Sequence, residues 1–255
     1  MLVLALSDAH IPDRAVDLPS KFKKLLSIPD KISQVAVLGN SSNSSEFLKF
    51  VTDITPNVHI VRGEFDRATI PAIHTDKVPV VKTPGQERTI KSNRVELPMN
   101  AVITQGEFRI GCCSGYTVVP KNDPVSLLTL ARQLDVDILL WGGTYNVEAY
   151  TLEGKFFINP GSCTGAFNTD WPVFSDILGN TDVKKEEIKT DDSSSKSKDE
   201  KNGPDHLYVS DLDINGANVP SFCLLDIQGS TCTLYIYLYV DGEVKVDKVI
   251  FEKQR

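Results

Sequence analysis

The chain has 255 residues, 41% of them hydrophobic, and a formal net charge of -7 at pH 7, with a pI near 5.2. That length suits one large domain or two small ones, the hydrophobic share supports a substantial core, and the acidic balance offers no basic field to attract nucleic-acid phosphates. Five cysteines, an odd number without CxxC spacing, point to reduced thiols in a cytosolic compartment rather than a disulfide framework.

Residues 2–6 are continuously apolar and read as a buried parallel strand running straight into Ser7-Asp8-Ala9-His10. The stretch is too short for a signal peptide, and no run in the chain reaches the ~18 apolar residues that span a bilayer. Leu18, Phe22, Leu25 and Leu26 recur at helical spacing, with lysines on the opposite face. Residues 34–38 form a second buried strand ending in Gly39-Asn40, and Ser44 or Ser45 can cap a helix that runs to Ile54. A third strand, 58–61, ends in Arg62-Gly63-Glu64-Phe65-Asp66. Three strand–loop–helix steps predict βαβ units and a mainly parallel sheet, with polar loops at the carboxyl ends of the strands, where such sheets place their sites.

Residues 67–98 are weakly patterned and predict a loop with one short strand at most. Residues 101–104 and 108–113 read as a hairpin, and Asn122-Asp123-Pro124 as a helix start. Residues 138–141 predict another buried strand ending in Gly142-Gly143-Thr144-Tyr145, followed by short strands at 148–152 and 156–158. Residues 176–219 contain the charge run DVKKEEIKTDDSSSKSKDEKNGPD, which cannot bury enough surface to offset its ordering entropy. One domain, 1–255, interrupted by a disordered insertion at 176–219, is therefore expected. Strands return at 222–227, 231–240 and 243–251, the last two joined by an Asp241-Gly242 turn.

The strand-end loops, Asp8-x-His10, Gly39-Asn40, Gly63-Glu64-Phe65-Asp66, Ser114-Gly115-Tyr116 and Gly142-Gly143-Thr144-Tyr145, resemble in order and spacing the calcineurin-like metallophosphoesterase superfamily. LALSDAHIPDR, LPSKFKKLL, HIVRGEFD, FFINPGSCTGAFN and the SFCLLDIQ…VKVDK tail are more specifically similar to the phosphoesterase-fold small-subunit family of retromer, the endosomal coat that retrieves receptors. The likeness covers nearly all of the chain outside 67–98 and 176–219, and the long insertion points to a fungal member. It implies an α/β fold: a metallophosphoesterase-like two-sheet sandwich flanked by helices.

In the superfamily, carboxylates and imidazoles hold two divalent metals that clamp a phosphate and activate water. By the resemblance, one metal's positions are Asp8, His10, Asn40 and Tyr145 here, and the other's are Asn40, Glu64, Ser114 and Gly143. The histidine that protonates the leaving group is replaced by Phe65. A neutral amide stands for the bridging carboxylate, and the distal imidazoles are gone. Glycine supplies no ligand, and neutral serine and tyrosine are poor ones. No cofactor is therefore expected beyond weak divalent-metal occupancy at a vestigial set of Asp8, His10, Asn40 and Glu64. Asp66 is nearby in sequence but not at the ligand spacing. The alternative role for Asp8 is to accept backbone N–H bonds from the loop, with His10 donating to it. Cys112 and Cys113 read as core.

No enzyme activity follows from such a set; a weak metal-dependent phosphoesterase is the alternative, and a nuclease is disfavoured further by charge. The resemblance implies that the old metal face docks on the C-terminal end of the large α-solenoid retromer subunit, through Tyr116, Val118 and Val119. Packing of Val118 and Val119 on the loop's own core is the competing reading. A second patch, for regulatory proteins, corresponds to Leu2, Leu25, Leu224, Tyr235, Tyr237 and Val246. Tyr235, Tyr237 and Tyr239 share one strand face, although core burial explains several of these residues equally well. Other retromer and sorting-nexin components would be met indirectly. The expected place is cytoplasmic, peripheral on endosomal membranes, with membrane contact through partners.

Overall fold

Continuous apolar runs form the buried strands, and residues with a 3.6-residue period form the helices that cover them. The computed structural model describes residues 1–28, 31–71, 94–167, 206–209 and 219–253. The first elements are β1 (Leu2–Leu6), α1 (Ser20–Leu26), β2 (Ile32–Val37), α2 (Ser45–Ile54) and β3 (Val58–Ile60). β1 pairs parallel with β2, and β2 with β3. The Ser44 hydroxyl accepts from the N–H of Phe47 at 3.2 Å, so that residue is the cap of α2.

Two short strands, β4 (Thr69–Pro71) and β5 (Arg94–Glu96), pair antiparallel, one more than the sequence predicts between 67 and 98. Then come β6 (Asn100–Gln105), β7 (Phe108–Cys113), α3 (Pro124–Gln133), β8 (Ile138–Trp141), β9 (Val147–Leu152) and β10 (Lys155–Pro160). α3 starts at the Asp123 cap, whose carboxylate accepts from Ser126 N–H at 2.7 Å. The chain ends with β11 (His206–Val209), β12 (Ser221–Gln228), β13 (Thr231–Val240) and β14 (Glu243–Glu252).

Two sheets result, in the orders β14-β13-β12-β1-β2-β3 and β11-β9-β10-β8-β7-β6. The C-terminal strands thus return to the first sheet, where β12 pairs antiparallel with β1. β11 corrects one expectation: His206–Val209 adds a strand beside β9, inside the stretch 176–219 expected to be disordered throughout. The charge run before it lies outside the described residues.

Strand alternation decides what each sheet face buries. Val3, Ala5, Leu225, Leu234 and Ile236 of the first sheet meet Ile103, Phe108, Ile110, Leu140 and Phe156 of the second in a shared core. On the outer face of the first sheet, Leu4, Leu6, Val35 and Val37 pack under Phe22 and Leu26 of α1 and Phe47, Leu48 and Val51 of α2. α3 covers the second sheet through Leu127, Leu128 and Ala131 over Leu139, Trp141 and Phe157.

Candidate functional site

The carboxyl ends of β1, β2, β3, β7 and β8 converge, and the loops leaving them are sewn together by backbone bonds. Asp8 N–H donates to Gly39 carbonyl at 3.2 Å and His10 N–H to Asn40 carbonyl at 2.8 Å. Asp8, His10, Asn40 and Tyr145 all adopt positive φ, at 50°, 46°, 54° and 67°. Non-glycine residues take that conformation rarely and at a cost of about 1 kcal/mol or more each, so such clustering marks a site that the surrounding structure holds in place. Gly63 packs against Asn40 so tightly that a Cβ there would lie 2.2 Å from the Asn40 nitrogen, which makes glycine obligatory at that contact.

Asp8 is fully buried. One carboxylate oxygen accepts from Asn40 Nδ2 at 2.8 Å; the other accepts from the Ser7 hydroxyl and from Gly143 N–H, both at 2.8 Å. Burial pushes its pKa up to about 6 against the pull of those three donors. Asp8 therefore accepts one backbone N–H, from Gly143 in the loop after β8 rather than from the loop that follows β1, supplemented by two side chains.

His10 does not donate to Asp8. Its Nε2 stands 4.0 Å from the carboxylate but 2.9 Å from the Tyr145 hydroxyl. Burial first, and the Arg14 guanidinium second, lower its pKa to about 4. The ring is thus neutral at pH 7, and the 4.0 Å approach is not an ion pair. Arg14 donates from Nη1 to the same hydroxyl at 2.9 Å. A guanidinium can only donate, so the phenol oxygen accepts from Arg14 while it shares a hydrogen bond with Nε2 of His10.

Asp66, set aside on spacing, is buried at the centre of the β2 and β3 loops. It accepts from the N–H groups of Asn40, Ser41, Ser42 and Gly63 and from the Ser42 hydroxyl, at 2.7–2.9 Å. The Asn40 side-chain oxygen accepts from Phe65 N–H at 3.0 Å. Of the vestigial set, Glu64 is solvent-exposed whereas Asp8, His10 and Asn40 are buried. Ser114 Oγ is buried without a hydrogen-bond partner, and among the described residues no group of three or more His, Cys, Asp or Glu side chains could hold a metal ion.

Residues 1–175 match the model of the calcineurin-like phosphoesterase superfamily domain. Over its whole length the chain is 57% identical to vacuolar protein sorting-associated protein 29 (Vps29) of Saccharomyces cerevisiae, covering 100% of each protein. It belongs to the Vps29 family.

The crystal structure of Chaetomium thermophilum Vps29 superposes with a TM-score of 0.68 at 35% identity, covering 100% of both chains. Wild-type Vps29 of Entamoeba histolytica, solved complexed with Zn²⁺, gives 0.64 at 30% identity, covering 99% of this chain and 100% of that one. The fold expected from the strand-end loops is therefore that of the Vps29 family.

The two surfaces expected from the Vps29 resemblance differ in how the structure arranges them. Val119 is 82% exposed and Tyr116 half-buried, but Val118 is buried against Leu127, Leu128 and Trp141. Val118 is thus a core anchor of its loop, not a surface residue, which corrects its assignment to docking. Phe65, Met99 and Val125 are also exposed apolar side chains, and the Tyr116 hydroxyl lies 3.1 Å from Met99 sulfur.

The second set shares the outer face of the first sheet. Leu224 lies opposite Tyr235, and Val246 opposite Tyr237; Leu2 leads the same face of β1, and Leu25 projects from α1 at 42% exposure. Leu224 and Tyr237 are partly buried on the helix-covered core, with Tyr237 stacked on Phe222 at 4.5 Å, while Val246 is 51% exposed. Leu25 and Val246 are therefore its accessible members, and Tyr237 is its floor.

Sequence reasoning missed Arg14, Ser162 and Phe167. Ser162 donates to Asp8 carbonyl at 2.7 Å, and Thr164 to Ala9 carbonyl at 2.8 Å. No spacing rule links residues 8 and 162; the Pro160-Gly161 step at the end of β10 was the available signal.

Proposed function

We propose that the chain is a non-enzymatic scaffold subunit of retromer, acting in endosome-to-Golgi and vacuolar receptor retrieval. It docks on the C-terminal α-solenoid of the large subunit through the face that carries metals in catalytic relatives of the fold. It recruits regulators through the Leu25–Val246 face, and it reaches endosomal membranes from the cytoplasm through its partners. Membership of the Vps29 family supports the retromer role.

The observation that carries the non-catalytic reading is the engagement of the would-be ligands. Asp8 has both oxygens occupied by donors, Asn40 presents its amide nitrogen to Asp8, and Nε2 of His10 is matched to a phenol. Two divalent metals need several free, deprotonated ligands each, and this donor set does not fit them. Phe65 stands where a proton donor would be needed, and a phenyl ring moves no proton. The Zn²⁺ complex belongs to the Entamoeba relative; here we expect no cofactor.

The test is a calorimetric titration of the full chain into the C-terminal half of the large α-solenoid subunit, in EDTA. Tight binding without metal supports the scaffold. Absence of binding in EDTA, restored by Mn²⁺, would favour the alternative of a weak metal-dependent phosphoesterase. That alternative further requires phosphate-ester hydrolysis abolished by Asp8→Ala.

A further inference from the structure

One cation does sit at the degenerate site, and the chain supplies it. Arg14, in the β1–α1 loop, reaches three other loops. Its Nη1 donates to the Tyr145 hydroxyl between β8 and β9 at 2.9 Å, and to the Phe167 carbonyl after β10 at 3.1 Å. Its guanidinium carbon stands 4.4 Å from the Phe65 ring centroid after β3, and 5.5 Å and 6.0 Å from those of Phe167 and Tyr145. His10, four residues earlier, stacks on Tyr145 with centroids 5.4 Å apart and planes 16° from parallel. These groups occupy the corner between the loops of β1, β3, β8 and β10.

We propose that Arg14 is a resident cation that replaces the divalent metals as the tie between these four loops, and that its presence bars a metal from returning. The proposal rests on the metal-free reading above and deepens it by naming what holds the loops instead. Guanidinium suits the position for chemical reasons: it is planar and permanently charged, Nη1 alone donates to two oxygens at once, and its flat face stacks on aromatic rings. A lysine ammonium has the charge without the flat face. A divalent ion entering beside His10 would meet this fixed like charge in a partly buried setting, where repulsion is poorly screened.

The first experiment is hydrogen exchange by mass spectrometry on the full-length wild type, Arg14→Ala and Arg14→Lys. Tying of four loops predicts that Arg14→Ala speeds exchange at least tenfold in segments 8–15, 62–66, 143–146 and 161–167 together, with Arg14→Lys restoring less than half of the protection. A change confined to residues 8–15, or full rescue by lysine, would overturn the tie. Should Arg14→Ala fail to fold, Arg14→Lys alone carries the same comparison.

The second experiment is calorimetric titration of Mn²⁺ and Zn²⁺ into N40D/Y145H and R14A/N40D/Y145H, which restore a carboxylate and an imidazole beside Asp8 and His10. Removing Arg14 should tighten metal binding at least tenfold; equal affinities would overturn the barring role. Neither result depends on the solenoid titration, so scaffold docking can fail while Arg14 stands, and the reverse.

Discussion

Asn40 donates its side-chain amide to Asp8 across 2.8 Å, in a site where Asp8 is fully buried. The hydrogen bond requires a donor at position 40. Asn40→Asp would set a second carboxylate against the first, forcing one of the two to bind a proton or separate. We predict a loss of about 2 kcal/mol or more at pH 7, smaller at pH 5, read by urea denaturation at both pH values.

Asp8 and His10 push the pH dependence of stability in opposite directions. The folded pKa of Asp8 is raised to about 6, so its contribution is present below its ordinary 3.8 and is lost as pH rises towards 6. The folded pKa of His10 is lowered to about 4, so the unfolded chain binds the extra proton between 4 and 6.5 and stability grows as pH rises through that window. The two largely cancel from pH 4 to 6. His10→Asn, which tolerates the left-handed backbone there, removes the rising branch. We expect that variant to lose about 2 kcal/mol of stability from pH 4 to 6 that the wild type keeps. A His10 ring titrating in the folded wild type near 6.5 by NMR would contradict this.

Asp66 holds the turn of the β2 loop and the start of the β3 loop through backbone N–H groups that have no other described acceptor nearby. Asp66→Ala strands several buried donors at once, a loss of about 3 kcal/mol in denaturant midpoint terms. Asp66→Asn should recover part of it, because the remaining oxygen still accepts while the new amide faces the Asn40 and Gly63 N–H groups or the Ser41 and Ser42 ones. Unchanged stability in Asp66→Ala would show that water serves those groups.

Adjacent valines should behave as opposites. Val119 is 82% exposed and Val118 6%. Val119→Asp should leave thermal stability within about 0.5 kcal/mol of wild type and abolish co-purification with the large solenoid subunit. Val118→Asp should cost about 3 kcal/mol or more through burial of a charge on the α3 core. Val119→Asp that still co-purifies would count against docking through this loop.

Much of the fold was legible because burial imposes local periods. The apolar runs at 2–6 and 138–141 became β1 and β8, and the Ser44 and Asp123 caps became helix starts, since an unpaired N–H at a helix end must find an acceptor nearby in sequence. One of the paired short strands β4 and β5, and β11, escaped notice because a strand a few residues long is stabilised by its neighbour across the ladder more than by its own composition. At the site, the loops were found from Asp8, Asn40 and Gly142-Gly143, while Val118 was misplaced. An alternating or loop pattern does not say which side of a turn faces water.

From residue types read against the family resemblance came the substitutions: a phenyl for a proton donor at Phe65, an amide for a bridging carboxylate at Asn40, a glycine and a tyrosine at positions of coordinating imidazoles. Those are properties of side chains and need no coordinates. What took the vacated roles was decided only in three dimensions. Arg14, Tyr145 and Phe167 are distant in the chain, and the parallel crossovers bring their loops to one end of the two sheets. There, Coulombic, stacking and hydrogen-bond terms that act over a few ångströms link residues that no sequence period relates.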